Sequence, residues 1–197
     1  VGMGSIDHLD ILVRNDTEIR DALWTGGCYK VSDNVYMKYD DHHGKLTVCR
    51  DSGFASKGAF GPELMFGMTV GAALPDTPIL LIKTAWGGKS LAIDFRPPSS
   101  GEGDYKGTKP IAFGHYYRLM IEAVLDTLSD ISSYVPDATD FNISGFVWFQ
   151  GWNDLINQQM VNEYGYNLAN LIRDLRLDLD TPDLPFGTLI FERILNL

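Results

Sequence analysis

Two hydrophobic periods alternate along the chain. Residues 145–149 form an unbroken small or apolar run that stops at Gln150-Gly151-Trp152-Asn153-Asp154. Such a run suits a strand covered on both faces, as found mainly in parallel sheets flanked by helices. Residues 78–82 form a second run, which stops at Lys83-Thr84-Ala85-Trp86-Gly87-Gly88. Tyr117, Met120, Ile121, Val124, Leu125 and Leu128 recur at spacings of three and four, which predicts a helix. Tyr164, Leu168, Leu171, Ile172, Leu175 and Leu179 predict a longer one, broken before Pro182. Upstream, residues 35–39 and 45–49 flank the polar segment Asp40-Asp41-His42-His43-Gly44 and predict a hairpin. Gly61-Pro62-Glu63 opens a helix whose inward stripe is Leu64, Met65, Met68 and Ala72. Residues 185–190 predict one more strand, and the turn formers of residues 96–103 predict a surface loop. This order of strands and helices is that of an α/β protein built from crossover units.

Composition narrows the class. With 197 residues, 45% of them hydrophobic, the chain is long enough to bury one sizeable core. The net charge of −10 disfavours nucleic acid and anionic lipid as partners, and neutral substrates fit better. No apolar run approaches the roughly 20 residues needed to span a bilayer, so no transmembrane segment is expected. Cys28 and Cys49 are too few for a disulfide scaffold and lack metal-ligand spacing; they are either bridged to each other or two thiols. His42 and His43 are adjacent, and adjacent residues seldom converge on one ion, so a solvated loop is the expectation and no metal site is assigned.

Two strand ends carry candidate chemistry. Gly88-Lys89-Ser90 matches the end of a phosphate-binding loop, but Lys83 stands where that pattern needs a glycine, and the nucleotide reading fails. Stabilising a tetrahedral oxyanion needs preorganised donors, commonly glycine-turn N–H groups with an Asn or Gln side chain. Gly87 or Gly88 supplies the first and Gln150 or Asn153 the second. The competing structural reading is that the glycines permit a turn while Gln150 and Asn153 cap the next helix.

At Trp148-Phe149-Gln150-Gly151-Trp152-Asn153-Asp154, Lys83-Thr84-Ala85-Trp86-Gly87-Gly88-Lys89-Ser90 and Gly61-Pro62-Glu63-Leu64, the chain resembles the SGNH-type hydrolases, in particular the sialate O-acetylesterase-like carbohydrate esterases. The resemblance runs in order over residues 1–186. It implies a three-layer sandwich with a central, mostly parallel sheet flanked by helices, the flavodoxin-like arrangement of those hydrolases. It also implies an acetylated sugar as substrate, sialic acid or plant polysaccharide, with no metal or organic cofactor and a secreted or periplasmic setting. Gly87 or Gly88 takes the family's oxyanion-hole glycine, and Gln150, with Asn153 competing, its side-chain donor. Trp86 and Trp152 are candidate walls for the sugar, and Asp154 orients the donor or caps the next helix.

The departures are specific. The family's nucleophile lies in a Gly-Gln-Ser-Asn segment near the amino end, and its catalytic Asp and His lie three residues apart near the carboxyl end; neither segment occurs here. Residues 1–5 are similar to what immediately follows the nucleophile. The expectation is one esterase-like α/β domain over residues 1–197, incomplete at both ends and without its own catalytic centre. Trp152 stands where many members carry Glu. Ser5 is the one serine near the expected position, and it would need a base from His8, His42, His43 or His115. The alternative is a noncatalytic carbohydrate-binding or scaffold remnant of such a domain. Oligomeric state is not set by the sequence.

Overall fold

Buried side chains collect in two hydrophobic clusters in the computed structural model, which describes residues 4–48 and 59–188. The clusters correspond to two compact units, Val1–Ala85 with Thr127–Asp140 and Trp86–Asp126 with Phe141–Leu197.

The first unit opens with β1 (Gly4–Ser5), α1 (Ile6–Asn15) and α2 (Thr17–Leu23). Ser5 caps α1 by accepting the His8 N–H, and Asp7 sits at the positive end of the helix dipole. Ile6, Leu9 and Val13, three and four residues apart, are its buried stripe. Asp16 ends α1 and starts α2, its side chain accepting the Ile19 N–H at 3.1 Å. Then come β2 (Trp24–Thr25), β3 (Cys28–Tyr29), β4 (Val31–Tyr39), β5 (His42–Thr47), β6 (Ala59–Phe60), α3 (Glu63–Ala73) and β7 (Ile79–Lys83).

Strand β4 pairs antiparallel with β5 and parallel with β7, in register from Val35 opposite Ile79 to Tyr39 opposite Lys83. Its period of two places Val35 and Met37 in the core. The hairpin loop is tighter than the polar run 40–44 suggests: His42, His43 and Gly44 pair with Tyr39, Lys38 and Met37, which leaves Asp40 and Asp41 to turn the chain. Asp40 takes φ 46°, a left-handed conformation that Asp tolerates better than most residues.

Helix α3 buries Leu64, Gly67 and Gly71, whereas Ala72 of the expected stripe is exposed. A Cβ at Gly67 would collide with Leu46 and Leu81, and one at Gly71 with Val35. The two glycines thus let the helix backbone lie against the sheet. Asn34 Nδ2 reaches the carbonyls of Gly71, Leu74 and Thr77 at 3.2, 2.8 and 3.1 Å and fixes the end of that helix.

The second unit contains α4 (His115–Ser129) as far as Asp126, β8 (Phe146–Trp148), α5 (Trp152–Leu155), α6 (Gln158–Asp178) and β9 (Phe186–Thr188), with β8 and β9 parallel. Leu91, Phe95, Tyr117, Met120, Trp148, Tyr164, Leu171 and Leu175 form its core. The inward face of α6 also buries Asn167, Asn170 and Asp174. Asp174 accepts the Ser99 N–H at 2.8 Å and its hydroxyl at 2.5 Å, and Asn170 donates to Ser100 Oγ at 2.9 Å. Arg96, 7% exposed, pairs with Glu163 at 2.9 Å and donates to the carbonyls of Ala92, Gly101 and Ser100. The segment expected as a free surface loop is therefore anchored at its start by buried polar groups.

The protein is mixed α/β, as its sequence pattern predicts, but the described strands form four small sheets rather than one central, mostly parallel sheet. The hairpin supplies β4 with an antiparallel neighbour, and the run 145–149 contributes three paired residues, of which Val147 is 52% exposed. It is not the strand covered on both faces that its hydropathy suggests. Cys28 is exposed with a free thiol; Cys49 lies outside the described residues, as does the proposed bridge between them. The end of the strand expected over 185–190 lies outside them too.

Candidate active site

All the candidate residues read from the two strand ends fall within the second unit. Gly87 and Gly88 form an exposed turn, with Gly88 at φ 68°, where a side chain would be strained. Beyond it the chain winds tightly: Ser90 is buried, its N–H and hydroxyl bond Asp94 Oδ2 at 2.9 and 3.1 Å, and its Oγ accepts the Ile93 N–H at 3.2 Å. Lys89 lies 4.2 Å from the centre of the Tyr116 ring and 3.5 Å from Asp94.

Asp154 holds this turn. Its side chain is fully buried and accepts the N–H groups of Leu91 at 2.9 Å and Ala92 at 3.0 Å, together with Gln150 Nε2 at 2.6 Å. Burial pushes the carboxyl above the ordinary carboxylate range, and the three donors oppose that shift. Asp154 caps no helix: Gly151 stands at the N-cap of α5 without a side-chain bond, and Asn157 caps α6.

Gln150 is tied just as fully. Its Nε2 donates to the Lys89 carbonyl at 3.0 Å as well as to Asp154. Tyr164 donates its hydroxyl to the Gln150 carbonyl at 2.7 Å, lies 3.2 Å from Gln150 Oε1 and accepts Trp148 Nε1–H at 3.0 Å. Burial raises the Tyr164 phenol to about 12, so it remains a donor at neutral pH. Asn153 differs: it is half-buried, and among the described residues its side chain has no hydrogen-bond partner. Gly151 makes this geometry possible, with φ 155° between the strand end and α5.

The two tryptophans part ways. Trp86 is half-buried among rings, 5.0 Å from Tyr116 and 6.0 Å from Phe95 between centres, and packs against the core. Trp152 is 71% exposed at the start of α5.

In the first unit, Ser5 Oγ lies 2.9 Å from His8 Nδ1 across the first turn of α1. The same hydroxyl accepts the His8 backbone N–H. His8 is exposed, and its ring has Ser5 as its hydrogen-bond partner among the described residues. His43 packs edge-on against Tyr134, and His115 against Tyr116. Among the described residues no cluster of three metal-ligating side chains forms, and no helix is long and apolar enough to cross a membrane.

The sequence pattern singled out Gln150, Asn153, Asp154 and the glycine turn but missed Tyr164 and Ser90. Tyr164 reads as an ordinary core position of a periodic helix, and its hydroxyl leaves no trace in hydropathy.

At the end of β8, Gln150 and Asp154 clamp residues 89–92, the segment that follows the glycine turn. The chain belongs to the carbohydrate esterase family described as sialic acid-specific acetylesterases, whose model matches residues 16–193. Its fold is similar to the X-ray structure of an Arabidopsis thaliana protein, with a TM-score of 0.56 and 21% identity over 81% of this chain. The chain spans 57% of the length of that protein. No curated protein matches the chain.

Proposed function

We propose that this chain carries the oxyanion-binding wall of a carbohydrate O-acetylesterase domain, acting on acetyl esters of sialic acid or of plant polysaccharide. The observation that carries this reading is the clamp of Gln150 and Asp154 on residues 89–92, which fixes the glycine turn against the segment bearing Asn153. Membership of the esterase family supports the reaction class. In that reaction a hydroxyl oxygen bonds to the acetyl carbon, the carbonyl becomes an oxyanion, and the sugar oxygen leaves with a proton. The developing charge is met by the backbone N–H groups of Gly87 or Gly88 and by the Asn153 amide.

Asn153 is the better side-chain donor because its N–H groups are unoccupied among the described residues, whereas both Gln150 N–H groups already have acceptors. Gln150 and Asp154 are then positioning residues. Trp152 offers an exposed apolar face for the sugar, while Trp86 belongs to the packing beneath the turn. The three-layer sandwich around a central, mostly parallel sheet and the single domain over residues 1–197 belong to this proposal.

The test is isothermal titration of the purified chain with O-acetylated N-acetylneuraminic acid, with acetate assayed in the same samples. Binding weakened severalfold by Trp152→Ala is the expected result. Binding unchanged by both Trp152→Ala and Asn153→Ala would remove this site from the reading. Binding with no acetate formed would return the chain to the noncatalytic alternative.

A further inference from the structure

The glycine turn of the second unit has no anchor of its own. Gly87 and Gly88 are exposed, a Cβ at either would meet nothing within 4 Å, and among the described residues neither glycine N–H has a hydrogen-bond partner. The aim of the turn therefore comes from the residues on either side, Trp86 and Lys89, and both sit on one ring. The Trp86 indole lies 5.0 Å from the Tyr116 ring between centres, and Lys89 Nζ lies 4.2 Å from the centre of the same ring. Two aromatic rings at that distance attract beyond their apolar contact, and an ammonium over an aromatic face is held by the ring quadrupole.

Tyr116 is itself held against the segment it steadies. Its N–H donates to the Asp94 carbonyl at 2.9 Å, and the Gly114 N–H donates to the Ile93 carbonyl at 2.8 Å, so the start of α4 is tied to residues 93–94. The Asp94 carboxylate reaches back to the Ser90 N–H at 2.9 Å and to Lys89 at 3.5 Å. On the inward side, Phe95 lies 6.0 Å from both Trp86 and Tyr116 and packs edge-on against Trp148 of β8, 5.3 Å between centres. A run of rings thus joins the start of the turn to the strand whose end carries Gln150, and Gln150 holds the end of the turn through the Lys89 carbonyl at 3.0 Å. The buried positions of α4 are supplied by Tyr117 and Met120, whereas Tyr116 is half-buried beside them.

We infer that Tyr116 is a positioning residue of the proposed oxyanion site: its ring seats both flanks of the glycine turn and so fixes the direction of the Gly87 and Gly88 N–H groups. This role rests on the esterase reading, because those N–H groups are the ones proposed to meet the acyl oxygen. Donors stabilise an oxyanion only while they keep their direction, and that direction is set by locked neighbours. The ring acts through the turn.

The experiment is NMR relaxation of the backbone amides of the purified chain and its variants. The Gly87 and Gly88 amides of the native chain should have order parameters of about 0.85, and Tyr116→Leu should bring them below about 0.6. Tyr116→Phe keeps the ring and should restore the native values. Gly165, within α6, is the control and should stay unchanged in every variant. Lys89→Ala frees one flank alone and should loosen Gly88 more than Gly87, which tests the clamp even where Tyr116→Leu does not fold. No ester enters this measurement, so it decides the clamp separately from the hydrolytic reading, which the titration with acetylated sugar tests. Native values already below about 0.6, native-like values in both Tyr116→Leu and Lys89→Ala, or a loss shared equally by Gly165 or by Tyr116→Phe would overturn the assignment.

Discussion

Two side-chain amides stand three residues apart at Gln150 and Asn153, and hydrogen-bond arithmetic separates their roles. An amide has two N–H groups; those of Gln150 meet Lys89 and Asp154, while those of Asn153 have no partner among the described residues. Replacing Asp154 with Asn would set an amide donor or a weaker acceptor against the Leu91 and Ala92 N–H groups. The expected loss is roughly 1–3 kcal/mol, read as a lower urea midpoint at unchanged slope. Ser5 has a histidine at 2.9 Å, yet that hydroxyl caps a helix, and among the described residues no carboxylate bonds the His8 ring. Fluorophosphonate treatment followed by mass mapping should therefore leave Ser5 unmodified. The sequence made all these residues candidates, but choosing among them required the partners, because donor occupancy is a property of the folded neighbourhood and not of residue type.

At the scale of elements, hydrophobic period located α4, α6 and β7 well, since each is long or apolar enough for burial to govern its pattern. It placed Leu64, Met65 and Met68 of α3 against the core but wrongly added Ala72, and it passed over Gly67 and Gly71, which have no side chain to score although a Cβ there would collide with Leu46, Leu81 and Val35. Gly67→Ala should destabilise the protein by roughly 1–3 kcal/mol through overpacking against Leu46 and Leu81, measured by urea denaturation. Glu163, on α6, gives a pH signature. Burial pushes its carboxyl up, but hydrogen bonds from Arg96 and Gln159 and the Arg96 charge outweigh this and hold it below the ordinary range. A depressed carboxyl stabilises the fold above its unfolded value of about 4.3 and loses that contribution as pH falls through the folded value. Between pH 6 and pH 3 the native chain should lose more stability than Glu163→Gln, and parallel losses would contradict the pairing.

Across the whole molecule, the order of the motifs was legible from end to end, and membership of the acetylesterase family rests on residues 16–193. The sheet was less legible. Strand pairing depends on contacts far apart in sequence, and the apolar run at 145–149 gave no sign that Val147 would be half exposed. The anchoring of residues 96–103 was likewise hidden, because Arg96, Ser99 and Ser100 look like solvated loop residues until Glu163, Asn170 and Asp174 of α6 are set against them. The measurement that bears most directly on the proposed function is acetate release from O-acetylated N-acetylneuraminate by the domain supplied with the family's serine and histidine segments, compared with its Asn153→Ala variant. The account predicts that the variant loses about 10²–10³-fold in kcat with little change in KM. An unchanged kcat in Asn153→Ala would contradict the assignment of the oxyanion donor.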